Sequence, residues 1–463
     1  TACRNDSRVR SMRFAELEGA DVAVWGYGRE GRAALAALRR RFPDKPLTLY
    51  CAADEVADAS GRDDNLRVID TPPDAHALAS HDVVIKSPGI SAYKPGIIEA
   101  QKHGTRFTSG TALWFAENPE ARVVAVTGTK GKSTTTAMIA HCARALGIRT
   151  ALAGNIGLPL LELEGQHADL WVIELSSFQT GEAGPLELGV IVSLEEEHID
   201  WHGTRERYVA DKLKLAEVSR TLLVNAHSPV LMQRTAAHPH RKTFDDPRGW
   251  HVADGTIFSG DERVFDLAEL PLSGAHNARN ACAALAAIES LAFDARVAAA
   301  ALRTFKPLPH RLQPLGLREG IEWIDDSIAT IPAAALAALQ SLTERAVTLI
   351  LGGHERGLDW HLFARVIATQ PPHAILAQGA NAARIVEALG AAAVPAHIER
   401  VGDLAAAVAR ARELTPPGGV ILLSPGAPSF DQFRDYAQRG RAFAQLAGFD
   451  KAVNDTIAGL GIA

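Results

Sequence analysis

Short apolar runs rich in β-branched residues alternate along the chain with Ala- and Leu-rich stretches of helical length. Residues 21–25, 170–174 and 346–351 are examples of the short runs. Because parallel strands are joined by crossovers that usually contain a helix, this alternation predicts an α/β fold of parallel sheets covered by helices. No apolar run approaches the roughly 18 residues that a membrane-spanning helix needs, so no membrane association is expected.

The chain length also bounds the number of domains. Its 463 residues are enough for about three domains, and the alternation falls into three blocks. Pro307 and Pro309 suit a hinge, because each proline restricts the residue before it. We predict a disordered leader over residues 1–11, with Met12 as the natural start, and domains over residues 12–108, 109–307 and 308–463.

Charge and cysteine usage exclude several classes of protein. The net charge of −6 gives no basic footprint, so no nucleic acid partner is expected. The cysteines at positions 3, 51, 142 and 282 form no CxxC pair, which indicates a reducing compartment without disulfides or a zinc site. No apolar segment follows the charged N-terminal stretch, so no signal peptide is expected. The chain is therefore predicted to be cytoplasmic, and we expect a monomer.

A glycine-rich turn, VTGTKGKST, spans residues 126–134 between a hydrophobic strand and a helical stretch. Its glycines let backbone N–H groups point at phosphate oxygens, and the helix N-terminus adds favourable dipole charge. Lys132 can neutralise phosphate charge, and the Ser133 hydroxyl can ligate Mg²⁺. The general phosphate loop has glycine where this chain has Val126, so this is a shortened variant, and a glycine turn without a ligand is the alternative. The predicted ATP-binding residues here are Gly128, Thr129, Lys130, Gly131, Lys132, Ser133 and Thr134.

Acidic residues follow two later strands and make a metal site conceivable. Glu174 ends the apolar run 170–174, and a carboxylate at the C-terminal end of a strand faces the ligand crevice of an α/β sheet. The next strand runs into residues 195–200, EEEHID, which include His198. A run of three glutamates is usually a solvated surface, so the metal interpretation and the surface interpretation are equally open for this segment.

A second glycine-rich turn, GYGREG, spans residues 26–31 after the first strand, and Asp54 follows 23 residues after Gly31. This pattern fits the dinucleotide fingerprint, so an NAD-dependent dehydrogenase is a real alternative. A glycine-rich turn of this kind can hold any diphosphate, and a chain with a separate phosphate loop has other uses for one. Residues 86–90, KSPGI, form another turn after a strand of the same block. A diphosphate-sugar ligand is therefore favoured over NAD, with candidate contacts at Gly28, Arg29, Glu30, Ser87 and Gly89.

The order of the motifs resembles the Mur ligase family over nearly the whole chain from Met12, and the glutamate-adding MurD type most closely. Each string is weak alone, but their joint order and spacing are specific. The strings are TGTKGKS at 127–133, GNIGLP at 154–159, ELSSFQ at 174–179, EHID at 197–200, HN at 276–277 with Asn280, LPHR at 308–311, DS at 326–327, and SP at 424–425 ahead of Ser429.

The resemblance implies a Rossmann-like N-terminal domain for a UDP-linked substrate, a central phosphate-loop Mg·ATPase, and a Rossmann-like C-terminal domain for the incoming amino acid. It implies that Mg²⁺ is held by Ser133, Glu174, His198 and a carbamylated Lys212. It further implies ATP contacts at Asn280, Arg311 and Asp326, and a contact to the muramoyl-alanine substrate at Asn155. A carbamate suits a magnesium site because it is anionic, whereas a lysine cation would be repelled; without the resemblance, a surface lysine would be preferred.

The reaction implied by the resemblance joins glutamate to UDP-N-acetylmuramoyl-L-alanine in cytoplasmic peptidoglycan precursor synthesis. The alanyl carboxylate attacks the γ-phosphate of ATP, and the glutamate amine then attacks the acyl phosphate. Lys132, His198 and Lys212 are the expected catalytic residues. Such chemistry depends mainly on positioning and charge neutralisation.

The chain departs from the D-glutamate-adding pattern in the expected amino-acid pocket. Ile328 replaces a lysine, Arg356 replaces another, Tyr436 stands where phenylalanine is usual, and residues 426–428 introduce Gly and Pro. Arginine offers a bidentate grip on carboxylate that lysine lacks. This pattern resembles a MurD variant that adds L-glutamate before a separate epimerase inverts it, and we favour L- over D-glutamate. The expected glutamate contacts are Thr330, Arg356, Ser429 and Tyr436.

Two further alternatives to the ligase remain. A folylpolyglutamate-type ligase would share the central ATPase, but the N-terminal block with residues 26–31 argues against it. A non-catalytic nucleotide-binding module would bind ATP without substrate-dependent phosphate release.

Overall fold

The computed structural model has the predicted α/β fold, built mainly from parallel sheets. The chain forms two compact units: one extends to Phe305 and also includes Gly459–Ala463, and the other is Lys306–Ala458. No helix among the described residues is long and apolar enough to cross a membrane. The leader expected over residues 1–11 lies outside the described part, which comprises residues 12–61, 63–194, 204–272, 274–342, 345–355, 357–449, 457 and 459–463.

The first sheet has five parallel strands in the order β3-β2-β1-β4-β5. The central strand β1 lies between β2 and β4, where the strand order reverses, and such a switch point is where open α/β sheets bind ligands. The strands are β1 Val22–Trp25, β2 Leu47–Tyr50, β3 Leu66–Ile69, β4 Val83–Lys86 and β5 Arg106–Thr108. Their helices are α1 Arg29–Arg41, α2 Val56–Ala59, α3 Ala75–Ala79, α4 Pro95–Lys102 and α5 Gly110–Glu117.

The second sheet has seven strands in the order β11-β10-β9-β6-β8-β7-β21. All its pairings are parallel except that of β7 with β21. Every residue of β6 and β8 is buried, which explains why both strands are continuous apolar runs rather than alternating ones. The strands are β6 Val123–Thr127, β7 Thr150–Gly154, β8 Leu170–Glu174, β9 Leu186–Ile191, β10 Ser219–Asn225, β11 Arg241–Phe244 and β21 Gly461–Ile462.

Several α-helices and a small antiparallel sheet accompany the second sheet. Helix α9 packs against α6, and both helices contain several buried alanines, whose small side chains allow backbones to approach closely. The helices are α6 Lys132–Ala145, α7 Arg205–Val218, α8 Pro229–Arg234, α9 Ala275–Ser290 and α10 Ala295–Ala299. The small sheet contains β12 Trp250–Ala253, β13 Thr256–Ser259 and β14 Glu262–Asp266.

The unit Lys306–Ala458 contains one six-stranded sheet in the order β15-β16-β20-β17-β18-β19. Among the strand pairs of the described residues in this sheet, β15–β16 is antiparallel and the others are parallel. The strands are β15 Gln313–Arg318, β16 Ile321–Asp325, β17 Val347–Leu351, β18 Ala374–Ala377, β19 His397–Arg400 and β20 Val420–Leu423. The helices are α11 Pro332–Gln340, α12 His361–Ile367, α13 Ala382–Ala391, α14 Leu404–Leu414 and α15 Tyr436–Leu446.

The end of the chain requires a correction to the predicted third domain. Strand β21 pairs with β7 of the second sheet, so Gly459–Ala463 belongs to the same unit as that sheet. The Arg144 guanidinium donates hydrogen bonds of 2.7–3.1 Å to the carbonyls of Thr150, Gly459 and Gly461. A two-residue strand has no period that sequence patterns can reveal, and its pairing with β7 depends on contacts between distant parts of the chain. The other domain boundaries stay predictions.

Candidate nucleotide-binding site

The predicted phosphate loop connects β6 to α6, and its shape depends on two glycines. Gly128 has φ of 154° and Gly131 has φ of 82°, a region that glycine adopts without the steric cost of a side chain. A Cβ at Gly128 would approach the Ser193 backbone nitrogen to 2.9 Å, and one at Gly131 would clash with the Asn280 amide. The backbone therefore reaches the start of α6 along a path that only glycine fits.

Neighbouring elements hold this loop in place. The Thr129 N–H donates to the Ser193 carbonyl (3.1 Å), and the Lys130 N–H donates to the Ser193 hydroxyl (2.8 Å). Thr129 and Tyr208 share a buried hydroxyl–hydroxyl hydrogen bond of 2.8 Å. Lys132 is the first residue of α6, and its ammonium donates to the Thr129 carbonyl (2.8 Å). Ser133 and the buried Thr134 follow in the first turn of the helix.

Glu174 lies beside this loop, because β8 pairs with β6 and aligns Glu174 with Val126. The Glu174 side chain is 1% exposed. Its Oε1 accepts a hydrogen bond from the Asn155 amide (2.8 Å), whereas no donor in the described part of the chain reaches its buried Oε2. A buried carboxylate oxygen without a partner is costly, so this environment suits a bound cation.

Lys212 on α7 also reaches the loop. It is 2% exposed, and its ammonium donates to the Gly128 carbonyl at 2.8 Å. The neighbouring Asp211 is also buried and accepts hydrogen bonds from the Tyr93 hydroxyl and the Lys214 ammonium. Burial and the Asp211 hydrogen bond raise the pKa of Tyr93 to about 12. Lys212 is therefore a buried residue of the candidate site rather than a surface lysine, and its carbamylation stays a prediction.

Asn280 on α9 meets the other side of the loop. Its side-chain oxygen accepts a hydrogen bond from the Thr135 hydroxyl (3.3 Å), and its amide donates to the Asn277 oxygen (3.3 Å). His198, the glutamate run at 195–197 and Asp200 lie outside the described residues. Among the residues that are described, no cluster of three or more His, Cys, Asp or Glu side chains is arranged to hold a metal ion.

The two turns of the first block adjoin one another. Gly26 has φ of 98°, and a Cβ on Gly31 would clash with the Gly26 carbonyl. The Ser87 hydroxyl donates to the same carbonyl at 3.3 Å, so the turn at 86–90 packs against the turn at 26–31. Gly28 precedes α1 as its N-cap, and Gly89 is exposed. Arg29, the first residue of α1, is exposed and donates to the Gly157 carbonyl (3.4 Å), close in sequence to Asn155.

Glu30 has an unusual environment at the start of α1. Burial, reinforced by the negative charges of Glu182 and Glu162, raises its pKa to about 7. The Glu182 carboxylate in turn accepts hydrogen bonds from the Ser109 hydroxyl (2.6 Å) and the Lys86 ammonium (3.5 Å). The two turns therefore lie beside a partly buried acidic group that carries a proton over part of the neutral range.

The unit Lys306–Ala458 contains a second group of candidate residues. Asp326, directly after β16, is 5% exposed, and burial raises its pKa to about 7. It accepts hydrogen bonds from the Ser424 hydroxyl (2.7 Å) and the Leu312 N–H (3.1 Å). The positive charge of Arg311 opposes the rise in pKa, which shows that Arg311 and Asp326 are close within this unit.

The expected glutamate contacts are distributed over several segments of the same unit. Ser429 is 2% exposed, and Thr330 is partly buried just before α11. The Tyr436 carbonyl, at the start of α15, accepts a hydrogen bond from the Ser327 hydroxyl (2.8 Å). Arg356 lies outside the described residues.

Comparison with known proteins decides the family. The chain is 48% identical to the "UDP-N-acetylmuramoyl-L-alanine–L-glutamate ligase" of Xanthomonas axonopodis pv. citri, over 97% of this chain and 100% of that protein. The Mur ligase middle domain matches residues 126–288, and the "Mur ligase, glutamate ligase domain" matches residues 310–426. The chain belongs to the Mur ligase family. The predicted family is thus confirmed.

Solved structures agree with the Mur ligase fold. UDP-N-acetylmuramate-alanine ligase MurC from Thermotoga maritima superposes with a TM-score of 0.59 at 19% identity, covering 93% of this chain and 99% of that one. Folylpolyglutamate synthase from Mycobacterium tuberculosis gives a TM-score of 0.56 at 16% identity, covering 74% of this chain and 95% of that one. Because both likenesses concern the fold alone, the fold does not separate a Mur ligase from a folylpolyglutamate-type ligase.

The structure brings many of the predicted Mur ligase residues together. Residues 128–133, Asn155, Glu174, Lys212 and Asn280 meet around one loop, and Arg311 and Asp326 meet in the other unit. Sequence reasoning missed Ser193 and Tyr208, which fix the loop by hydrogen bonds. Ser193 follows a strand, which is a usable signal, but only the sheet order shows that this strand lies next to β6.

Proposed function

We propose that this chain is an ATP-dependent ligase that joins L-glutamate to UDP-N-acetylmuramoyl-L-alanine in peptidoglycan precursor synthesis. The observation that carries the proposal is its 48% identity, over nearly the full length, to a ligase named for these substrates. At the site, a loop shaped by glycines lies next to a buried carboxylate oxygen that meets no hydrogen-bond donor among the described residues, which suits a phosphate chain together with a cation.

The nucleotide is proposed to bind at the loop over residues 128–134. The N-terminus of α6 and the loop N–H groups favour negative charge there, and Lys132 adds a full positive charge. When ATP enters, the Lys132 ammonium exchanges its contact with the Thr129 carbonyl for one with phosphate oxygens. Asn280 lies beside Gly131 and is proposed to contact ATP, with Arg311 and Asp326 supplying further contacts.

The oxygen atoms near the loop are suitable ligands for Mg²⁺, a hard cation that prefers oxygen ligands. The Glu174 carboxylate offers a buried oxygen without a hydrogen-bond donor in the described chain. Ser133, His198 and a carbamylated Lys212 would complete the set. A bound Mg²⁺ supplies charge neutralisation on the transferring phosphoryl group.

Two bond exchanges account for ligation. The alanyl carboxylate oxygen attacks the γ-phosphorus of ATP, and the bond to the β,γ-bridging oxygen breaks to release ADP. The neutral amine of glutamate then attacks the acyl carbon, and inorganic phosphate leaves as the amine loses a proton. Lys132 and His198 are proposed to stabilise the charge that develops on the phosphoryl oxygens. Asn155 and the turns at 26–31 and 86–90 are proposed to position the UDP-linked acceptor through Gly28, Arg29, Glu30, Ser87 and Gly89.

The incoming amino acid is proposed to bind at Thr330, Arg356, Ser429 and Tyr436. Two observations favour L-glutamate: the relative at 48% identity is named as an L-glutamate ligase, and Ile328 and Arg356 replace lysines of the D-glutamate-adding pattern. Consistent with this, we propose that a separate epimerase acts after ligation. A cytoplasmic monomer is the proposed working form.

The decisive assay measures phosphate release by purified protein with ATP, Mg²⁺, UDP-N-acetylmuramoyl-L-alanine and either enantiomer of glutamate. We expect release that requires every substrate, and a ligated product with L-glutamate by mass spectrometry. Clear preference for D-glutamate would overturn the stereochemical assignment and leave the ligase. No release with either enantiomer, combined with NADH binding seen by fluorescence, would favour the dehydrogenase alternative.

A further inference from the structure

One arginine in the unit Lys306–Ala458 is buried, although arginine side chains are mostly exposed. Arg439 on α15 is 1% exposed and is among the largest fully buried side chains of the described chain. Burial lowers its pKa to about 10, so it stays charged at neutral pH. Burying a guanidinium costs free energy unless its N–H groups are well hydrogen-bonded, so a buried arginine needs an explanation.

The Arg439 guanidinium ties two separate segments together through uncharged acceptors. Its Nε donates to the Ser327 hydroxyl (3.0 Å), and its Nη2 donates to the Ser327 carbonyl (2.8 Å). Its Nη1 donates to the Pro428 carbonyl (3.2 Å). Three donors in one rigid plane thus fix the loop at Pro428 relative to the turn at Ser327.

Two further segments meet at the same point. The Pro428 carbonyl also accepts a hydrogen bond from the His354 N–H (2.8 Å). A Cβ on Gly353 would clash with that carbonyl and would lie 3.0 Å from Arg439 Nη1. The Ser327 hydroxyl, which accepts from Arg439, donates onward to the Tyr436 carbonyl (2.8 Å) at the start of α15. The segments at 327, 353–354, 428 and 436 are therefore joined around one guanidinium.

We propose that Arg439 is the positioning residue of the amino-acid site. This rests on the proposed function, which assigns the incoming glutamate to four residues on these same segments. Thr330 follows Ser327 by three positions, Arg356 follows Gly353 by three, Ser429 follows Pro428 directly, and Tyr436 begins the helix. Arg439 sets the mutual placement of the segments that carry Thr330, Ser429 and Tyr436 without touching the substrate, because it is 1% exposed and hydrogen-bonds to Ser327 and Pro428.

Replacing the guanidinium tests this assignment. In Arg439→Met we expect the KM for L-glutamate to rise at least tenfold and the preference for L- over D-glutamate to shrink, while the KM values for ATP and acceptor change less than twofold. Arg439→Lys retains the charge but not the planar fork, so an intermediate shift is expected. The effect is expected mainly on glutamate because Arg439→Met removes three hydrogen bonds near the proposed amino-acid site and leaves the ATP site unchanged.

A matched control separates positioning from general destabilisation. Phe443→Leu lies one turn after Arg439 on the same helix and is fully buried against Trp323, and the Phe443 ring takes no part in the Arg439 hydrogen bonds. It should lower the melting temperature without moving the glutamate KM or the enantiomer ratio. Equal changes in both variants, or an unchanged glutamate KM in Arg439→Met, would overturn the proposal.

A second variant decides the matter if Arg439→Met does not fold. Ser327→Ala removes the hydroxyl that links Arg439 to Tyr436, and we expect a rise of about threefold in the glutamate KM, the size of one lost hydrogen bond. An unchanged glutamate KM and enantiomer ratio in Ser327→Ala would overturn the proposal. If the wild-type protein releases phosphate without ligating either enantiomer, the proposed function fails first and this proposal falls with it.

Discussion

The glycine-rich loop at 128–134 and the segments around Arg439 hold several groups in a fixed arrangement in two different ways. The loop is continuous in sequence, and its geometry comes from glycine backbone between β6 and α6. The Arg439 segments are spread from Ser327 to Tyr436, and one buried side chain joins them. A site formed by consecutive residues can be recognised as a sequence motif. A site formed by distant segments depends on tertiary contacts, which no short motif contains.

The two regions are also expected to differ in how well they tolerate amino-acid substitutions. The loop is proposed to bind phosphates, which are common to all ligases that use ATP, so its chemistry leaves little freedom. The Arg439 segments are proposed to bind the amino acid that distinguishes one ligase from another, and the departures at positions 328 and 356 are close to these segments in sequence. Specificity can therefore change in the second region while the first stays constant.

The largest expected effect lies in the loop. Lys132→Ala should reduce ligation by about 10³-fold, since removing one preorganised donor to developing charge costs 10²–10³-fold and Lys132 also supplies a full charge. The circular dichroism spectrum and melting temperature should be unchanged. Lys102→Ala, an exposed lysine on α4, is the control and should retain full activity. Substantial turnover in Lys132→Ala would remove the loop from the chemistry.

The second prediction concerns the buried charge in the Lys306–Ala458 unit. The pKa of Asp326 is about 7 in the folded chain against an ordinary value of 3.8. Between these values the folded state binds one more proton than the unfolded state, so the contribution of Asp326 to stability falls as pH rises towards 7. Relative to Asp326→Asn, the wild type should lose at most about 1.4 kcal/mol per pH unit across this window.

Denaturant titrations of both proteins from pH 5 to pH 8 measure this difference. Ser424→Ala sharpens the test, because the Ser424 hydrogen bond lowers the pKa of Asp326 and its loss should extend the window to higher pH. A stability difference that does not vary with pH would show that Asp326 keeps an ordinary pKa.

The third prediction separates the steric clash of a side chain at Gly131 from the cost of its left-handed backbone conformation. Gly131→Ala should raise the Kd for ATP at least tenfold, because the new Cβ would clash with the Asn280 amide. Gly165 has a similar φ of 77° but open space around its Cβ. Gly165→Ala should therefore lose only the roughly 1–2 kcal/mol of stability that the left-handed conformation costs, with unchanged ATP affinity. Calorimetric titration with ATP distinguishes the two variants.

The smallest effect concerns another arginine that joins distant segments. Arg144→Ala removes the hydrogen bonds to the Thr150, Gly459 and Gly461 carbonyls, and we expect a loss of about 1 kcal/mol because these contacts are partly exposed. The C-terminal strand should become more accessible to carboxypeptidase. The exposed neighbour Arg149 is the control. Equal stability and protease resistance in Arg144→Ala and Arg149→Ala would show that the clamp contributes nothing.

Much of the fold and of the loop site could be predicted from particular residues. The apolar runs at 123–127 and 170–174 are buried on both faces, so their composition identifies parallel strands directly. The GKS string places Lys132 and Ser133 at a helix N-terminus, as the structure has them. Ser193, Tyr208 and Arg439 could not be found this way, because each acts on a residue more than 60 positions away.

The sequence by itself determined the α/β class, the phosphate loop and the family, because these depend on local period and on short contiguous motifs. Only the tertiary structure decided that β21 pairs with the second sheet, that one buried Glu174 oxygen meets no donor among the described residues, and that Arg439 links Ser327 to Pro428. The physical reason is that strand order and burial set which polar groups meet and which lose water. Those conditions arise only when distant parts of the chain pack together.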